Sequence, residues 1–245
     1  MQPVSSSPSS TREERLLVTA NFGELMSAVA DRCPGGKLPD TYLVIDLETT
    51  GLPDHGREEY VTQFGYAAVT DRKIADSHAS LLKTPPGWIH PEASRVTGIT
   101  DEMIQRDGED PAAFYEKLIK IFALYRGKSM FVGHNVYGFD CPFLEADFEH
   151  HGHDFKFDDS ESIDTGMIFK ASQLFLAPAD NETLGQFYRR VGNVRSRVKW
   201  NLAFAIRRLG LDMKFGLDLS KAHSADVDCR FTHILFEELR SRAGI

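Results

Sequence analysis

The apolar positions of the chain predict strands in its first half and mainly helices in its second half. Residues 42–45 form a short apolar run of the kind found in buried strands. Further strands are expected over residues 60–70, 73–82 and 129–132, the first two of them joined by a tight turn at Thr70-Asp71-Arg72. Apolar residues at helical spacing predict helices over residues 12–33, 111–125, 139–150, 164–173, 183–192, 198–209 and 224–241.

The order of these elements predicts an α/β fold in which helices flank a mixed sheet, because strands come first and then alternate with helices. Residues 1–10 are polar and rich in Ser and Pro, and we expect them to be disordered. Residues 33–39, Cys-Pro-Gly-Gly-Lys-Leu-Pro, break the chain and are interpreted as a linker. We therefore divide the chain into an N-terminal extension over residues 1–40, partly disordered and then helical, and a main domain over residues 41–243.

The composition is that of an ordinary globular protein, with 42% hydrophobic and 26% charged residues in a chain of 245. No apolar run is long enough to span a membrane, and residues 1–10 lack the basic and apolar regions of a secretory signal. The three cysteines are far apart, which favours reduced thiols over a disulfide framework. We therefore expect an intracellular, cytoplasmic protein without a membrane partner.

The net charge of −8 argues against a nucleic-acid partner, but positive charge is concentrated in one segment. Residues 183–211 contain no acidic residue, and such a segment could follow a phosphate backbone. An ordinary solvated helix surface explains the same pattern equally well. The basic residues of this segment are Arg189, Arg190, Arg195, Arg197, Lys199, Arg207 and Arg208.

The first candidate chemistry lies at the end of the strand that begins at residue 42. Asp46 and Glu48 are two positions apart, so both carboxylates project from the same face of the strand. Two buried acids repel each other, and hard oxygen ligands on one face suit Mg²⁺ or Mn²⁺. The residues that follow, Thr49-Thr50-Gly51, offer backbone N–H groups and a glycine that permits close approach of a ligand.

Two later segments carry further candidate ligands. Asp140 enters a helix after a polar loop, where it either caps the helix or shares a metal with Asp46. In the same loop, His134 and Asn135 are placed to contact a phosphate or a sugar.

The last candidate segment is His223-Ser-Ala-Asp-Val-Asp228, at the start of the final helix. Residues five apart on a regular helix do not share a face, so His223 must lie in the loop before the helix if it is to meet Asp228. A loop histidine suits a proton-transfer role. Asp226 competes with Asp228 as the carboxylate, and the spacing alone does not choose between them.

Together these motifs resemble the DEDDh branch of the DnaQ-like 3′–5′ exonucleases, which belong to the ribonuclease H-like superfamily. The resemblance covers residues 41–239, and His223-x-Ala-x-x-Asp228 selects Asp228 over Asp226. Thr97 departs from the pattern because many relatives have His there, and the loop from Asn135 to Asp140 is one residue longer than in proofreading subunits. The matching segments are Asp46-Leu-Glu-Thr-Thr-Gly-Leu52, Gly133-His-Asn135 with Phe139-Asp140, Val96-Thr-Gly-Ile-Thr100, Ile163-Asp-Thr165 and Leu202 with Leu209-Gly-Leu211.

The resemblance implies a ribonuclease H-like fold and a metal-dependent exonuclease that releases nucleoside 5′-monophosphates from a single-stranded 3′ end of DNA. It implies that His223 is the general base for the attacking water, so activity should fall on acidification. It also implies that two divalent cations, Mg²⁺ or Mn²⁺, are bound by Asp46, Glu48, Asp140 and Asp228. The residues expected to bind the substrate are Thr49, Thr50, Gly51, Leu52, His134 and Asn135.

Two alternative functions remain open at this point. One is an RNA 3′–5′ exonuclease similar to RNase T or oligoribonuclease, although Thr at position 49, where oligoribonucleases have Met, slightly favours the proofreading group. The other is a catalytically silent nucleic-acid-binding module on the same fold. A polymerase or another replication protein is a possible partner, for which residues 1–40 could provide the contact segment, or the enzyme could act alone.

Overall fold

The computed structural model of the protein describes residues 22–53, 58–125 and 130–245. In this part of the chain the strands are β1 (Tyr42–Thr49), β2 (Val61–Thr70), β3 (Lys73–Leu81), β4 (Met130–Gly133) and β5 (Ser162–Asp164). They form one sheet in the order β3-β2-β1-β4-β5. The β1–β2 and β2–β3 pairs are antiparallel, and the β1–β4 and β4–β5 pairs are parallel. The predicted mixed sheet is therefore confirmed.

Helices cover both faces of this sheet. No helix among the described residues is long and apolar enough to cross a membrane. The helices are α1 (residues 22–30), α2 (Pro91–Thr97), α3 (Asp101–Asp107), α4 (Pro111–Tyr125), α5 (Asp140–His150), α6 (Thr165–Leu174), α7 (Leu184–Asn193), α8 (Leu202–Leu209), α9 (Leu211–Phe215) and α10 (Ala225–Ala243).

The central strand β1 is buried on both faces, and its alternating side chains enter two separate apolar clusters. Val44 packs into the cluster that also contains α1, α6, α7, α8 and α10, whereas Ile45 packs into the cluster formed with α4 and α5. Since side chains alternate along a strand, Asp46 and Glu48 continue the row of Val44. This row faces α10, so the strand directs both carboxylates toward that helix.

Several elements were not predicted, and each is short. Helices α2 and α3 have seven residues each, too few to show a clear apolar period, and they are defined by their ends. Pro91 begins α2 and Gly98 ends it in the left-handed conformation, while the Thr100 side chain caps α3. Strand β5 has only three residues, and α9 has five.

Some predicted boundaries differ from the structure. The helix predicted over residues 198–209 begins at Leu202, because the Asn201 side chain caps it by accepting a hydrogen bond from the Phe204 N–H group. The tight turn after β2 is present, with Asp71 and Arg72 both in the left-handed region.

The segment interpreted as a linker contains a single turn of 3₁₀ helix, Pro34–Gly36. Cys33 and Leu38 on either side of this turn are buried in the same cluster as α1, so residues 22–38 pack onto the main domain. The disorder predicted for residues 1–10 lies outside the described residues.

Candidate active site

Asp46 and Glu48 lie at the carboxyl end of β1, where the sheet changes from antiparallel to parallel pairing. Asp46 is opposite Gly65 on β2, and Glu48 is opposite Gln63. On the other side, β1 pairs with the parallel strand β4 only as far as Val44. The last part of β1 therefore extends beyond β4 and presents its carboxylates at an open edge.

The amino end of α10 reaches these carboxylates because Gly65 has no side chain. A Cβ atom built on Gly65 would lie 2.5 Å from the backbone carbon of Ala225, the first residue of α10. The Gln63 side chain also holds this end of the helix, since its Oε1 atom accepts a hydrogen bond of 2.9 Å from the Ala225 N–H group. Asp228, in the first turn of α10, is thereby brought to the face of β1 that carries Asp46 and Glu48.

If the activity is the exonuclease reaction expected from the sequence, Gly65→Ala should reduce its rate by about a hundredfold, because a displacement of about 1 Å at a catalytic group has an effect of that size. The new methyl group would meet the backbone of Ala225, so α10 must shift together with Asp228. The measurement is the initial rate on a labelled oligonucleotide. Gly23→Ala is the matched control, since a Cβ atom built at that position in α1 has no described atom within 4 Å apart from its chain neighbours and the backbone of its own helix. Equal rates for both variants would contradict the role given to Gly65.

Asp140 is the first residue of α5, and only 3% of its surface is exposed. The backbone N–H groups of Asp140 itself and of Leu47 on β1 lie near its carboxylate and act to lower its pKa. A carboxylate at the amino end of a helix is favoured by the helix dipole. These contacts fix Asp140 against the part of β1 that lies between Asp46 and Glu48.

The four carboxylates are close enough to disfavour one another's charge. Burial raises the pKa of Asp46 well above its usual range, and Asp140, Asp228 and Glu48 raise it further. Burial, then Asp228 and Asp140, raise the pKa of Glu48 to about 8. Burial and then Asp164 raise the pKa of Asp140 to about 8, and burial raises the pKa of Asp228. In the described part of the chain no lysine or arginine forms an ion pair with any of the four.

His223 lies in the loop before α10, in the left-handed backbone region with a φ of 70°. Its backbone N–H group donates to Oδ2 of Asp228 over 3.0 Å, which ties the loop to the first turn of the helix. Ligand atoms of Glu48, His223 and Asp228 all lie within 4.8 Å of one another. The Asp226 carboxylate instead accepts a hydrogen bond from the Ser224 hydroxyl group, so the geometry favours Asp228 over Asp226.

An open cavity of about 680 Å³ adjoins this cluster, lined by Glu48, Thr49 and Gly51 on one side. Leu52 projects into solvent at its edge with 76% of its surface exposed. Thr50 differs from its neighbours because it is fully buried. Its hydroxyl group donates to Glu59 over 2.5 Å and accepts from the N–H group of Tyr60 over 2.9 Å.

His134 and Asn135 lie in the loop after β4. The His134 ring is hydrogen-bonded at both nitrogens, to the Thr165 hydroxyl group (3.0 Å) and to the carbonyl oxygen of Trp200 (2.7 Å). Burial lowers the pKa of His134 to about 4, so the ring is uncharged. Asn135 has a φ of 73° and donates its N–H group to Asp164, so both residues are engaged inside the protein.

Asp164 supports the loop between β4 and Asp140, and it was not singled out as a site residue from the sequence. It is completely buried and accepts N–H groups from Asn135, Tyr137 and Met167. Burial raises its pKa to about 6, while these N–H groups act in the opposite direction. Its position directly before a helix is typical of a capping residue, which is the signal that could have identified it.

The fold and the site together define the class of protein: an α/β nuclease-type domain with four clustered carboxylates and a histidine at one edge of the sheet. Residues 43–195 match the RNase_T family, described as Exonuclease. The chain belongs to this exonuclease family, as its motifs predicted. The structure of E. coli ExoI with single-stranded DNA and zinc is similar with a TM-score of 0.62 and 20% identity over 83% of this chain and 41% of ExoI. This likeness supports the ribonuclease H-like fold.

Two relatives are identical to this chain at about a third of the aligned positions. The DNA polymerase III PolC-type protein of Mycoplasmopsis pulmonis is 32% identical over 163 residues, 66% of this chain and 10% of the relative. The 3′–5′ exonuclease DinG of Staphylococcus haemolyticus is 32% identical over 130 residues, 53% of this chain and 13% of the relative. The chain thus spans only a small fraction of the length of these relatives.

Proposed function

We propose that the protein is a metal-dependent 3′–5′ exonuclease that removes nucleoside 5′-monophosphates from single-stranded DNA ends. The main support for this proposal is that four carboxylates cluster beside His223: Asp46, Glu48, Asp140 and Asp228. Among the described residues, no lysine or arginine forms an ion pair with them. The names of the related proteins, a 3′–5′ exonuclease and PolC-type polymerases, support the direction of cleavage and the choice of DNA.

The donor set fits divalent cations such as Mg²⁺ or Mn²⁺. All four side chains offer hard carboxylate oxygens, and Oδ1 of Asp228 is buried without a hydrogen-bond partner. A buried oxygen of this kind needs a partner, and a cation would provide it. Asp46, Glu48, Asp140 and Asp228 would hold two ions, which when bound would stabilise the charge that develops during in-line displacement at a phosphate.

His223 is proposed to accept the proton of the attacking water. It is exposed and lies outside the regular part of α10, so its ring can approach a water molecule beside Glu48 and Asp228. The hydrogen bond from its backbone to Asp228 keeps the ring near the carboxylates while leaving both ring nitrogens for this task. Because a base must be uncharged to accept a proton, the rate should fall on acidification.

The cavity beside Glu48 is proposed to receive the terminal nucleotide. Its wall combines backbone near Gly51 with the apolar side chains of Leu52, Val96 and Phe139. The hydroxyl group of Thr97, which also lines the cavity, is engaged with the backbone of α2 and of Ile99. Apolar contact and stacking accept any base, so we expect little sequence preference.

The reaction class is tested with one DNA strand carrying a label at either end. A 5′-labelled strand should give a ladder that shortens from the 3′ end, and a 3′-labelled strand should release labelled nucleoside 5′-monophosphate at once. Both reactions should require Mg²⁺ or Mn²⁺ and stop in excess EDTA. A matched RNA strand measures the preference for DNA. Shortening from the 5′ end, or full activity in EDTA, would refute the proposal.

Metal-free protein is expected to lose stability as the pH rises from about 4.5 to 8, that is, from the ordinary carboxyl pKa of the unfolded chain to the pKa values of about 8 of Glu48 and Asp140 in the folded chain. Both pKa values are raised above those of the unfolded chain, so in this range the native state keeps protons that the unfolded chain has released, and the free energy of unfolding falls until the native groups ionise as well. Excess Mn²⁺ should remove this decline. The measurement is urea unfolding in EDTA and in Mn²⁺ across the pH range.

Two variants separate this effect from general alkaline destabilisation. Glu48→Gln removes one of the repelling charges and should flatten the pH dependence in EDTA. Asp226→Asn is the matched control, because its carboxylate is bonded to Ser224, and it should keep the dependence of the unaltered protein. Identical curves for both variants would show that the carboxylate cluster does not cause the decline.

A further inference from the structure

The basic segment between residues 183 and 211 separates in the structure into paired and unpaired cations. Arg189 is bonded to Asp159 over 2.9 Å, and Arg190 is bonded to Glu182 over 2.7 Å. These two side chains are neutralised by the protein itself. The other five are exposed, and none has an ion pair or side-chain hydrogen bond with any described residue; they are Arg195, Arg197, Lys199, Arg207 and Arg208.

Three of these unpaired cations, Arg195, Arg197 and Lys199, occupy alternate positions of the irregular segment over residues 194–200, and we call them the basic row. Residues at both ends of the segment, Val194 and Asn201, have extended backbone angles. Alternate side chains of an extended chain point to the same side and are about 6.6 Å apart. The basic row is exposed, and the burial pattern alternates from residue 197 to residue 200, where residues 198 and 200 are half-buried; Ser196 is exposed like its neighbours.

Two hydrogen bonds from side chains of the domain to carbonyl groups of this segment hold it in place. The carbonyl oxygen of Lys199 accepts from Nε2 of Gln173 over 2.9 Å, and that of Trp200 accepts from the His134 ring over 2.7 Å. The Lys170 ammonium group lies 5.8 Å from the centre of the Trp200 ring, a cation–π contact. These contacts hold the carboxyl end of the segment, Lys199 and Trp200, against the domain although it contains no helix or strand.

The anchored end of the row adjoins the carboxylate cluster. His134 follows Gly133, whose backbone lies close to β1. A Cβ atom built on Gly133 would be 3.1 Å from the carbonyl oxygen of Ile45, the residue before Asp46. The Trp200 carbonyl group is thus bonded to a residue at the same edge of the sheet as the candidate active site. Next to Trp200, the carbonyl group of Lys199 is bonded to Gln173 near the carboxyl end of α6.

We propose that the basic row binds the phosphate backbone of the substrate strand upstream of the bond that is cleaved. This inference rests on the proposed exonuclease function, since it describes how a strand longer than its terminal nucleotide is held. The protein as a whole carries a charge of −8, which repels a polyanion. The unpaired cations of the basic row therefore provide a surface beside the acidic site to which a polyanion is attracted. Contacts of this kind read the backbone and not the bases.

The test compares Arg197→Gln/Lys199→Gln with the control Lys37→Gln/Lys73→Gln, which loses the same charge. Lys37 and Lys73 are also exposed, but Lys73 begins β3 beside the amino end of β1, at the opposite edge of the sheet. Loss of two phosphate contacts to a single strand should reduce the slope of log affinity against log salt by about 1.4 and weaken binding about 25-fold at 0.1 M salt relative to 1 M salt. Binding of a labelled 20-mer is measured in Ca²⁺ by fluorescence anisotropy.

Hydrolysis of thymidine 5′-monophosphate p-nitrophenyl ester separates this proposal from the proposed function, because that substrate has one phosphate and cannot reach the basic row. Both double variants should hydrolyse it at the rate of the unaltered protein, while only Arg197→Gln/Lys199→Gln should show a raised KM on the 20-mer. If the salt slope and the KM of that variant are unchanged, the basic row does not bind the substrate strand, although the protein can still be an exonuclease. If the unaltered protein hydrolyses neither substrate, the proposed exonuclease function itself is refuted.

Discussion

Asp46→Asn should lower the exonuclease rate on the order of a thousandfold or more, which corresponds to about 4 kcal/mol of transition-state stabilisation. Asp46 is the carboxylate whose charge is opposed by all three of the others, so it would be one of the residues that hold the cations. An amide keeps the shape of the side chain but loses the negative charge. The rate is measured with saturating Mn²⁺ so that weaker ion binding alone does not explain the loss.

The same substitution should have the opposite effect on the metal-free fold. Burial and the neighbouring Asp140, Asp228 and Glu48 disfavour the charged form of Asp46, so removing that charge should raise the melting temperature in EDTA at pH 8. Asp226→Asn, the control, should change neither activity nor melting temperature appreciably. An inactive Asp46→Asn protein that also melts at a lower temperature would indicate misfolding and contradict the electrostatic explanation.

His223→Gln is expected to reduce kcat by about a hundredfold to ten-thousandfold, the range in which general-base catalysis contributes. Glutamine can hold a water molecule by hydrogen bonding but cannot accept its proton. The loss should therefore be largest at neutral pH, and the decline of the rate on acidification should become shallower. The measurement is kcat as a function of pH for the variant and the unaltered protein.

His153→Gln is the matched control for this substitution. His153 follows the end of α5 that lies opposite to Asp140, so it is remote from the carboxylates although it belongs to a sequence cluster with His150 and His151. Its rate and pH profile should match those of the unaltered protein. A His223→Gln enzyme with an unchanged pH profile would assign the proton transfer to another group.

The sheet could be predicted from the sequence because each of its long strands carries its own signal. The apolar run of β1 and the tight turn between β2 and β3 are local patterns, and helix α4 matches its predicted bounds, Pro111–Tyr125. Elements such as α2 and β5 are too short for periodicity, and their form depends on end residues and on pairing with distant strands. The start of α8 was missed for a related reason, since one Asn201 side chain decides it.

Part of the candidate site could also be predicted. The spacing of Asp46 and Glu48 predicted that both carboxylates lie on one face of the strand. The choice of Asp228 over Asp226 as their partner on the last helix required the family motif. The contacts that bring α10 to β1 depend on Gly65 and Gln63, which lie 160 or more residues away from Ala225. A glycine within a strand is a known sign of close backbone approach, yet it does not name the approaching element. Thr50 and His134 belong to the motifs and were expected to bind the substrate, but their side chains are hydrogen-bonded inside the protein.

The most direct test of the account is the location of Mn²⁺ by anomalous diffraction from crystals soaked with Mn²⁺ and a nucleoside 5′-monophosphate. We expect two ions about 4 Å apart, both contacted by Asp46 and enclosed by Glu48, Asp140 and Asp228. The monophosphate should lie in the cavity lined by Leu52 and Val96. An active protein whose Mn²⁺ is bound elsewhere, or not at all near Asp46, would contradict the central claim.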